Sequence, residues 1–270
     1  MQKCSIITAV YNSNKTLSRF LLALGGQTER DFELIICDDG SVEDCLPIIN
    51  EYQKYFINKI KYVRHERNGI RKTMTLNRGV LAAETDYLLF IDPDCLADED
   101  WVKIHLEERE KGCYLIGRRV GYREKMATYI TDEFIAGNKY SKVNLFNIYH
   151  AMAGHIRYIE QFLKIKNVFL RKILHHKKST YLMGCNFSCW KEDMVKINGW
   201  DNDFHGLGRE DVELDSRLKR SGIKPKSVKF LTRVFHIYHA QRKNDEWKDY
   251  YDKAADDAGF EAKNGLREML

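Results

Sequence analysis

Tyr87-Leu88-Leu89-Phe90-Ile91-Asp92-Pro93-Asp94 is the stretch that decides the fold. Five apolar residues running into a turn fit a strand covered on both faces, and such strands belong to parallel sheets flanked by helices. Open sheets of that kind gather ligands at the carboxyl ends of their strands. Asp92 and Asp94 stand at that end with Pro93 between them. Two carboxylates there can hold Mg²⁺ or Mn²⁺, which share their remaining positions with phosphate oxygens. An Asp-Pro-Asp turn can equally cap a strand without a metal, so the rest of the chain has to decide.

Upstream, apolar strands alternate with amphipathic helices from residue 3 to 118. Strands are expected at 4–10, 32–37 and 60–63, and Leu17, Phe20, Leu21 and Leu24 mark one face of the helix after the first. A second helix carries Ile48, Ile49, Tyr52 and Phe56, and a third spans about 74–83. The alternation implies a mostly parallel, Rossmann-like central sheet with helices on both faces, lacking the G-x-G-x-x-G fingerprint. Downstream, residues 119–178 read as a helical, Tyr-rich, basic insert. Residues 179–242 return to the same domain with a strand at 181–190, a Gly/Trp-rich loop at 198–208, a helix at 211–221 and a strand at 228–238. Residues 243–270 form a charged tail, expected to be helical and peripheral.

A chain of 270 residues can bury one large α/β core. Its net charge of +5 is uneven, for residues 161–178 hold six of the 44 basic side chains, two histidines and no acid. Phe162, Ile165, Phe169, Ile173 and Leu174 recur there at helical spacing. The segment therefore reads as an amphipathic basic helix, either docked by its apolar face or touching an anionic membrane or lipid-linked substrate. No apolar run approaches the roughly 20 residues of a membrane span, and no signal-peptide pattern opens the chain. A cytoplasmic location is expected, with peripheral contact at the inner face of the membrane. The seven cysteines read as reduced core residues, and Cys185-x-x-x-Cys189 lacks the second pair of a zinc site. No nucleic-acid partner is expected, and oligomeric state is not legible.

Further polar groups fall at expected strand ends or on neighbouring loops. Thr8-Ala9-Val10-Tyr11-Asn12 offers an aromatic that can stack on a base or cap the sheet. Asp38-Asp39-Gly40-Ser41 can accept the imide N–H of uracil or be an Asp-Gly turn. Asn68-Gly69-Ile70-Arg71-Lys72 puts two cations before a helix, which suits a diphosphate. The run from Gly199 to Asp211 combines glycines and aromatics with two acids, Glu210 and Asp211, at a helix start. Those acids serve either the helix dipole or a proton transfer. His236 and His239 lie near a strand end, where a two-carboxylate site lacks a third ligand.

In this order the motifs resemble the inverting nucleotide-sugar glycosyltransferases of family 2, which have the GT-A fold. The likeness rests on residues 5–12, Gln27-Thr28, 32–36, 38–41 and Asp92-Pro93-Asp94. Residues 199–214 with Arg217-Leu218 are similar to the C-terminal segment of β-1,4-galactosyltransferases. Residues 232–238 look like the metal-histidine strand of polypeptide N-acetylgalactosaminyltransferases. The resemblance covers 3–118 and 179–242 and implies a UDP-sugar donor. Tyr11 would stack on uracil and Asp39 would bind its N3–H, with Asp38, Thr8 and Ala9 alongside. Arg71 would support the base or diphosphate. Asp92 would reach ribose or metal across Pro93, and Asp94 would ligate Mn²⁺ or Mg²⁺ with His236 or His239, His236 having the better-matching flanks. Asp211 would be general base, with Trp200, Gly208 and Glu210 on the side of a glycan or lipid-linked acceptor. The chain departs from the family at Ala9, where proline is common, and at Leu76, where an arginine is common. The rival readings are a nucleotidyltransferase, which should have a glycine-rich phosphate loop after its first strand, and a non-catalytic binding module, which has no use for Asp94 and Asp211 together.

Overall fold

A computed structural model describes residues 2–174, 181–204, 208–240 and 259–270. In chain order the elements are β1 (Ser5–Val10), α1 (Asn14–Gly25), β2 (Glu33–Asp38), α2 (Leu46–Tyr52), β3 (Lys61–Arg64), α3 (Lys72–Ala82), β4 (Tyr87–Phe90), β5 (Cys95–Ala97), α4 (Trp101–Glu108) and β6 (Cys113–Ile116). Then follow β7 (Arg118–Tyr122), α5 (Glu124–Ala127), α6 (Asp132–Ala136), α7 (Leu145–Met152), β8 (Ile156–Arg157), α8 (Val168–Ile173), β9 (Phe187–Trp190), α9 (Lys191–Lys196), α10 (Glu210–Arg220), β10 (Lys224–Ser227) and β11 (Arg233–His236).

Seven strands form the main sheet in the order β10-β6-β9-β4-β1-β2-β3. All its pairings are parallel except those of β9, which runs antiparallel to β4 and β6. β9 thus stitches the C-terminal part of the chain into the main sheet. The side-chain period of two sorts the core into two layers. Ile6, Leu34, Ile36 and Leu89 meet α1 through Phe20 and Leu24 on one face. Ile7, Ile35, Leu88 and Phe90 meet Leu76, Val80, Leu214 and Leu218 on the other. Gly79 lets α3 approach closely, since a Cβ there would lie 2.5 Å from Ile7 Cγ2 and 2.8 Å from Cys37 Sγ. A second sheet, β5-β11-β7-β8, adjoins the carboxyl end of β4.

Several expectations change. The insert is not purely helical: it contributes β7 and β8, and only short helices follow. The continuous helix expected over 161–178 is a 3-10 turn (Ile159–Phe162), an extended link and α8. The link is held open by outside partners. Arg233 donates to the Phe162 carbonyl, the Ile165 N–H donates to Phe230, and Lys164 pairs with Asp98 and Asp100. Phe162 is buried as expected, but Phe169, Ile173 and Leu174 are exposed while Arg171 turns inward. His175, His176, Lys177 and Lys178 lie outside the described residues. The strand expected over 228–238 is only β11, because 228–232 make a turn in which Leu231 N–H bonds to Val228. The described end of the tail is not peripheral, since Leu266 enters the core and Ala262 and Leu266 donate to the Ile197 and Asn198 carbonyls. The helix expected earlier in the tail lies outside the described residues.

Candidate active site

The carboxyl ends of β1 and β2 carry the first group. Asp38 is fully buried and spent on the turn: Ser41 donates through N–H at 2.8 Å and Oγ at 2.6 Å, and the Tyr62 hydroxyl donates at 2.5 Å. Asp39 instead faces the loop before α3. Arg67 forms a short ion pair with it, the Arg71 N–H donates at 3.2 Å, and His65 Nε2 lies 3.4 Å away. Burial pushes the Asp39 carboxyl up against the pull of these partners. The Arg67 guanidinium also lies 3.8 Å over the Tyr11 ring. Arg67 therefore occupies both functions assigned to a base, stacking on Tyr11 and pairing with Asp39, and sequence reasoning missed it. The Thr8 hydroxyl is buried here without a hydrogen-bond partner among the described residues, and Ala9 is half-buried beside it. The Arg71 side chain reaches the Asn68 carbonyl at 2.9 Å and the Asn202 carbonyl at 3.4 Å.

The turn after β4 closes with the Cys95 N–H on the Asp92 carbonyl at 3.1 Å, Pro93 fixing its path. It sends its two carboxylates in different directions. Asp94 meets the end of β11, with His239 Nε2 at 3.0 Å and His236 Nε2 at 3.5 Å. The three ligand atoms lie within 4.8 Å of one another, so both histidines, not one, reach the aspartate. Burial would raise the Asp94 carboxyl, but the His239 and His236 imidazoles hold it well below the usual range. Burial in turn lowers His236, which keeps a ring nitrogen free to ligate. One carboxylate and two imidazoles make a mixed O/N donor set that suits Mn²⁺ better than the all-oxygen preference of Mg²⁺.

Asp92 points the other way. Lys72, first residue of α3, lies 3.1 Å from both Asp92 Oδ1 and Glu210 Oε1, tying the β4 turn to the start of α10. Burial opposes the charge on Lys72, and Asp92, Glu210 and Asp211 outweigh it to hold the ammonium well above its ordinary pKa. Glu210 also accepts the Gly208 N–H at 2.8 Å. Asp211 accepts the Gly184 N–H at 2.7 Å. Burial first, then the charge of Glu210, push the Asp211 carboxyl up to about 7, with Lys72 and the Gly184 N–H opposing. Gly184 is indispensable to this contact, because a Cβ there would sit 2.3 Å from Asp211 Oδ1.

Trp200, expected on the acceptor side, is instead core. It is 1% exposed and packs edge-on against Phe90 and Phe187. Its backbone is clamped by Asn77, which accepts from the Trp200 N–H and donates to the Trp200 carbonyl. His205, Gly206 and Leu207 lie outside the described residues. Lys72, Asn77, Arg67 and Gly184 are thus site-building residues that sequence motifs did not single out as such, although Lys72 and Asn77 stand in a stretch already noted.

A Rossmann-like sheet with carboxylates and a carboxylate–imidazole cluster gathered at its carboxyl end fits a glycosyltransferase of GT-A fold. The glycosyl transferase family 2 model matches residues 5–173, and a galactosyltransferase model, described as its N-terminal domain, matches 167–240. The chain belongs to glycosyl transferase family 2. It is 28% identical over 227 residues to a chondroitin synthase of Pasteurella multocida (strain Pm70), covering 81% of this chain and 23% of that one. It is 27% identical over 230 residues to a validoxylamine A glucosyltransferase of Streptomyces hygroscopicus subsp. limoneus, covering 81% and 48%. The S. aureus TarS 1–349 structure in complex with UDP superposes with a TM-score of 0.59 at 15% identity, covering 99% of this chain and 68% of that one. The chain therefore spans between about a quarter and a half of these curated relatives. Among the described residues, no helix is long and apolar enough to cross a membrane.

Proposed function

We propose that this enzyme transfers a hexosyl residue from a UDP-sugar (UDP-galactose, UDP-N-acetylgalactosamine or UDP-N-acetylglucosamine) to a saccharide or lipid-linked glycan, forming a β-linkage with inversion in surface polysaccharide or glycan synthesis. The observation that carries the reading is Asp211, a half-buried acid pushed up to about 7 at the rim of the cluster that contains the D-x-D turn. A group poised there is a proton acceptor near neutrality. The uridine would displace Arg67, stack on Tyr11 and give its N3–H to Asp39. Lys72 and Arg71 would meet the diphosphate, Lys72 shifting its pairing from Asp92. Asp211 takes the proton of the acceptor hydroxyl as that oxygen bonds to C1, and the C1–O bond to phosphate breaks on the opposite face. The electron pair leaves with UDP. Asp94, His236 and His239 are the residues that would hold Mn²⁺ or Mg²⁺, which when bound offsets charge on the departing diphosphate. Names of relatives, chondroitin synthase among them, support polymer synthesis.

Contact with an anionic membrane belongs to the same proposal and is supported by the insert. Residues 139–174 carry seven basic side chains against one acid, Glu160. The outward stripe of α7 at spacing i, i+3, i+4, i+7 is Leu145, Ile148, Tyr149 and Met152, exposed by 86, 43, 61 and 85%. The decisive experiment for the enzymatic reading is a screen of nucleotide sugars for UDP release with and without Mn²⁺. Release that is unaffected by chelation would remove the metal from the mechanism, and no release with any UDP-sugar would remove the donor.

A further inference from the structure

Three guanidinium groups converge on one cleft, and among the described residues none has an ion-pair partner. The cleft measures about 970 Å³ and takes its walls from Arg119 on β7, Arg123 just after it, Arg157 on β8, and the imidazoles of His236 and His239. Glu124 is its single acid. Several arginines elsewhere are matched, Arg217 with Glu213, Arg233 with Asp98, Arg67 with Asp39 and Arg267 with Glu261; what sets the cleft apart is that three unmatched ones share one wall. Arg119 is half-buried in a strand; Asp92 and Asp94 favour its charge from a distance, but among the described residues no carboxylate pairs with it directly, so its guanidinium can take up an anion in the cleft. Arg157 has one protein hydrogen bond from its fork, to the Tyr158 hydroxyl at 3.3 Å, which leaves donors for a ligand.

Two rings complete the cleft. Tyr158 and Tyr238 line it with 46% of their surface exposed, and Tyr158 is held at φ 58°, a conformation that costs energy for a residue with a side chain. Flat rings suit the apolar faces of a pyranose, and forked guanidinium donors suit a carboxylate or phosphate. None of the walls comes from β1, β2 or the 67–72 loop, where the nucleoside would lie. The cleft adjoins the Asp94 triad and shares His236 and His239 with it.

We propose that this cleft is an acceptor subsite for a saccharide bearing an oxyanion, a uronic-acid carboxylate or a sugar phosphate, with Arg119, Arg123 and Arg157 reading the charge and Tyr158 and Tyr238 the ring. The proposal rests on the glycosyltransferase reading of the neighbouring triad. It adds what that reading leaves open, namely the chemistry of the acceptor. Its volume falls in the range of small-ligand pockets and accommodates a short stretch of glycan.

The test uses three hexasaccharide probes that differ only at the terminal sugar: glucuronate, the carboxyl-reduced glucose counterpart, and glucose 6-phosphate. Binding to the full chain is measured calorimetrically with Mn²⁺, both with and without UDP. At least one charged probe should bind about tenfold tighter than the neutral one, the scale of a charge-assisted fork contact. The exposed pair of substitutions Arg123→Gln and Arg157→Gln should erase that preference while UDP affinity stays as in the parent. Equal binding of all three probes by the parent would overturn the subsite. A double variant that loses UDP and charged probe in the same proportion would overturn it too, by assigning the cleft to the donor diphosphate. UDP affinity is read separately, so its absence would count against the donor reading while the charge preference, measured without UDP, still decides the subsite.

Discussion

Residues 2–118 and the helices α7 and α8 of the insert obey opposite rules. In residues 2–118 the apolar side chains face inward from both sheet and helices, and the polar residues at strand ends are paired with one another: Asp38 with Tyr62, Asp39 with Arg67, Asp92 with Lys72. In the insert Val120, Tyr122, Met126, Ile130, Ile135, Tyr140, Ile156 and Phe162 still form a core, but α7 and α8 reverse the pattern. Helix α7 buries Asn147 and His150 and exposes Leu145 and Met152, and α8 buries Arg171 while Phe169 is 70% exposed. The second region presents surface that water does not favour, and it borders a cleft whose three guanidinium groups have no ion-pair partner among the described residues.

The largest effect expected from this contrast concerns Asp211, where the first region meets the acid of α10. Asp211→Asn keeps the size and the bond from Gly184, but loses the proton acceptor. Turnover should fall about 10²- to 10⁴-fold with UDP binding intact, measured by UDP release and by calorimetry. Near-parental turnover would sink the base assignment. The same change should stabilise the fold. Because the native carboxyl sits above its ordinary value of 3.8, the folded state holds that proton more tightly than the unfolded chain, and stability falls as pH rises from about 4 to 7. Asparagine removes that penalty, so the variant should melt higher at pH 8, by about 2–4 °C. In the parent, kcat/KM should climb with pH and level off above about 7.

Next in size is Gly184→Ala. A methyl group 2.3 Å from Asp211 Oδ1 must push the carboxylate or the 184 loop aside. A displacement of that order costs roughly a hundredfold in turnover, and the expected signature is a fall in kcat with the melting temperature little changed. A variant of normal kcat would show that Asp211 can act from another position.

Lys72→Met tests the tie between the two halves of the site. It leaves Asp92 and Glu210 close together without a cation, which should destabilise the protein by roughly 2–3 kcal/mol, below the full cost of breaking a buried pair because Lys72 is 19% exposed. The loss should shrink as the pH falls, because Lys72 is what offsets burial in holding the Glu210 carboxyl low, and without it that group can take up a proton. A urea titration at pH 7 and pH 4 reads both values, and equal losses at the two pH values would show that Lys72 matters by packing alone.

How much of this was legible in the chain follows from the same contrast. Residues 87–91 and 32–37 announced strands because burial on both faces leaves a continuous apolar run, and the positions of Asp39, Asp94 and Asp211 just after strands and at a helix start were legible because such ends are fixed by local pattern. Arg67 was invisible, since its place over Tyr11 arises from a turn in which Gly40 passes against its backbone. Trp200 misled because a glycine-flanked aromatic fits a sugar platform as well as it fits the gap beside Phe90. The basic segment misled for a physical reason too. Periodicity reports which residues share a face but not whether that face turns inward, and the partners that hold 162–165 extended, Arg233 and Phe230, lie some 70 residues away in sequence.

The smallest effect separates a face that is merely exposed from one that has a partner. Leu145→Ser with Met152→Ser removes two side chains that touch water over more than four fifths of their surface, so stability should change by less than about 0.5 kcal/mol. Binding to vesicles containing phosphatidylserine should nevertheless weaken several-fold in sedimentation, and binding of the parent should fall as salt rises, since the lysines around the face act through a screened field. Vesicles of neutral lipid should bind both proteins poorly. If the parent ignores anionic vesicles while light scattering gives it twice the monomer mass, a mass that the double serine variant halves, then the stripe of α7 meets a second copy of the chain and the inverted helices of the insert are an assembly surface, leaving the Arg119 cleft as the only part of that region that serves the glycan.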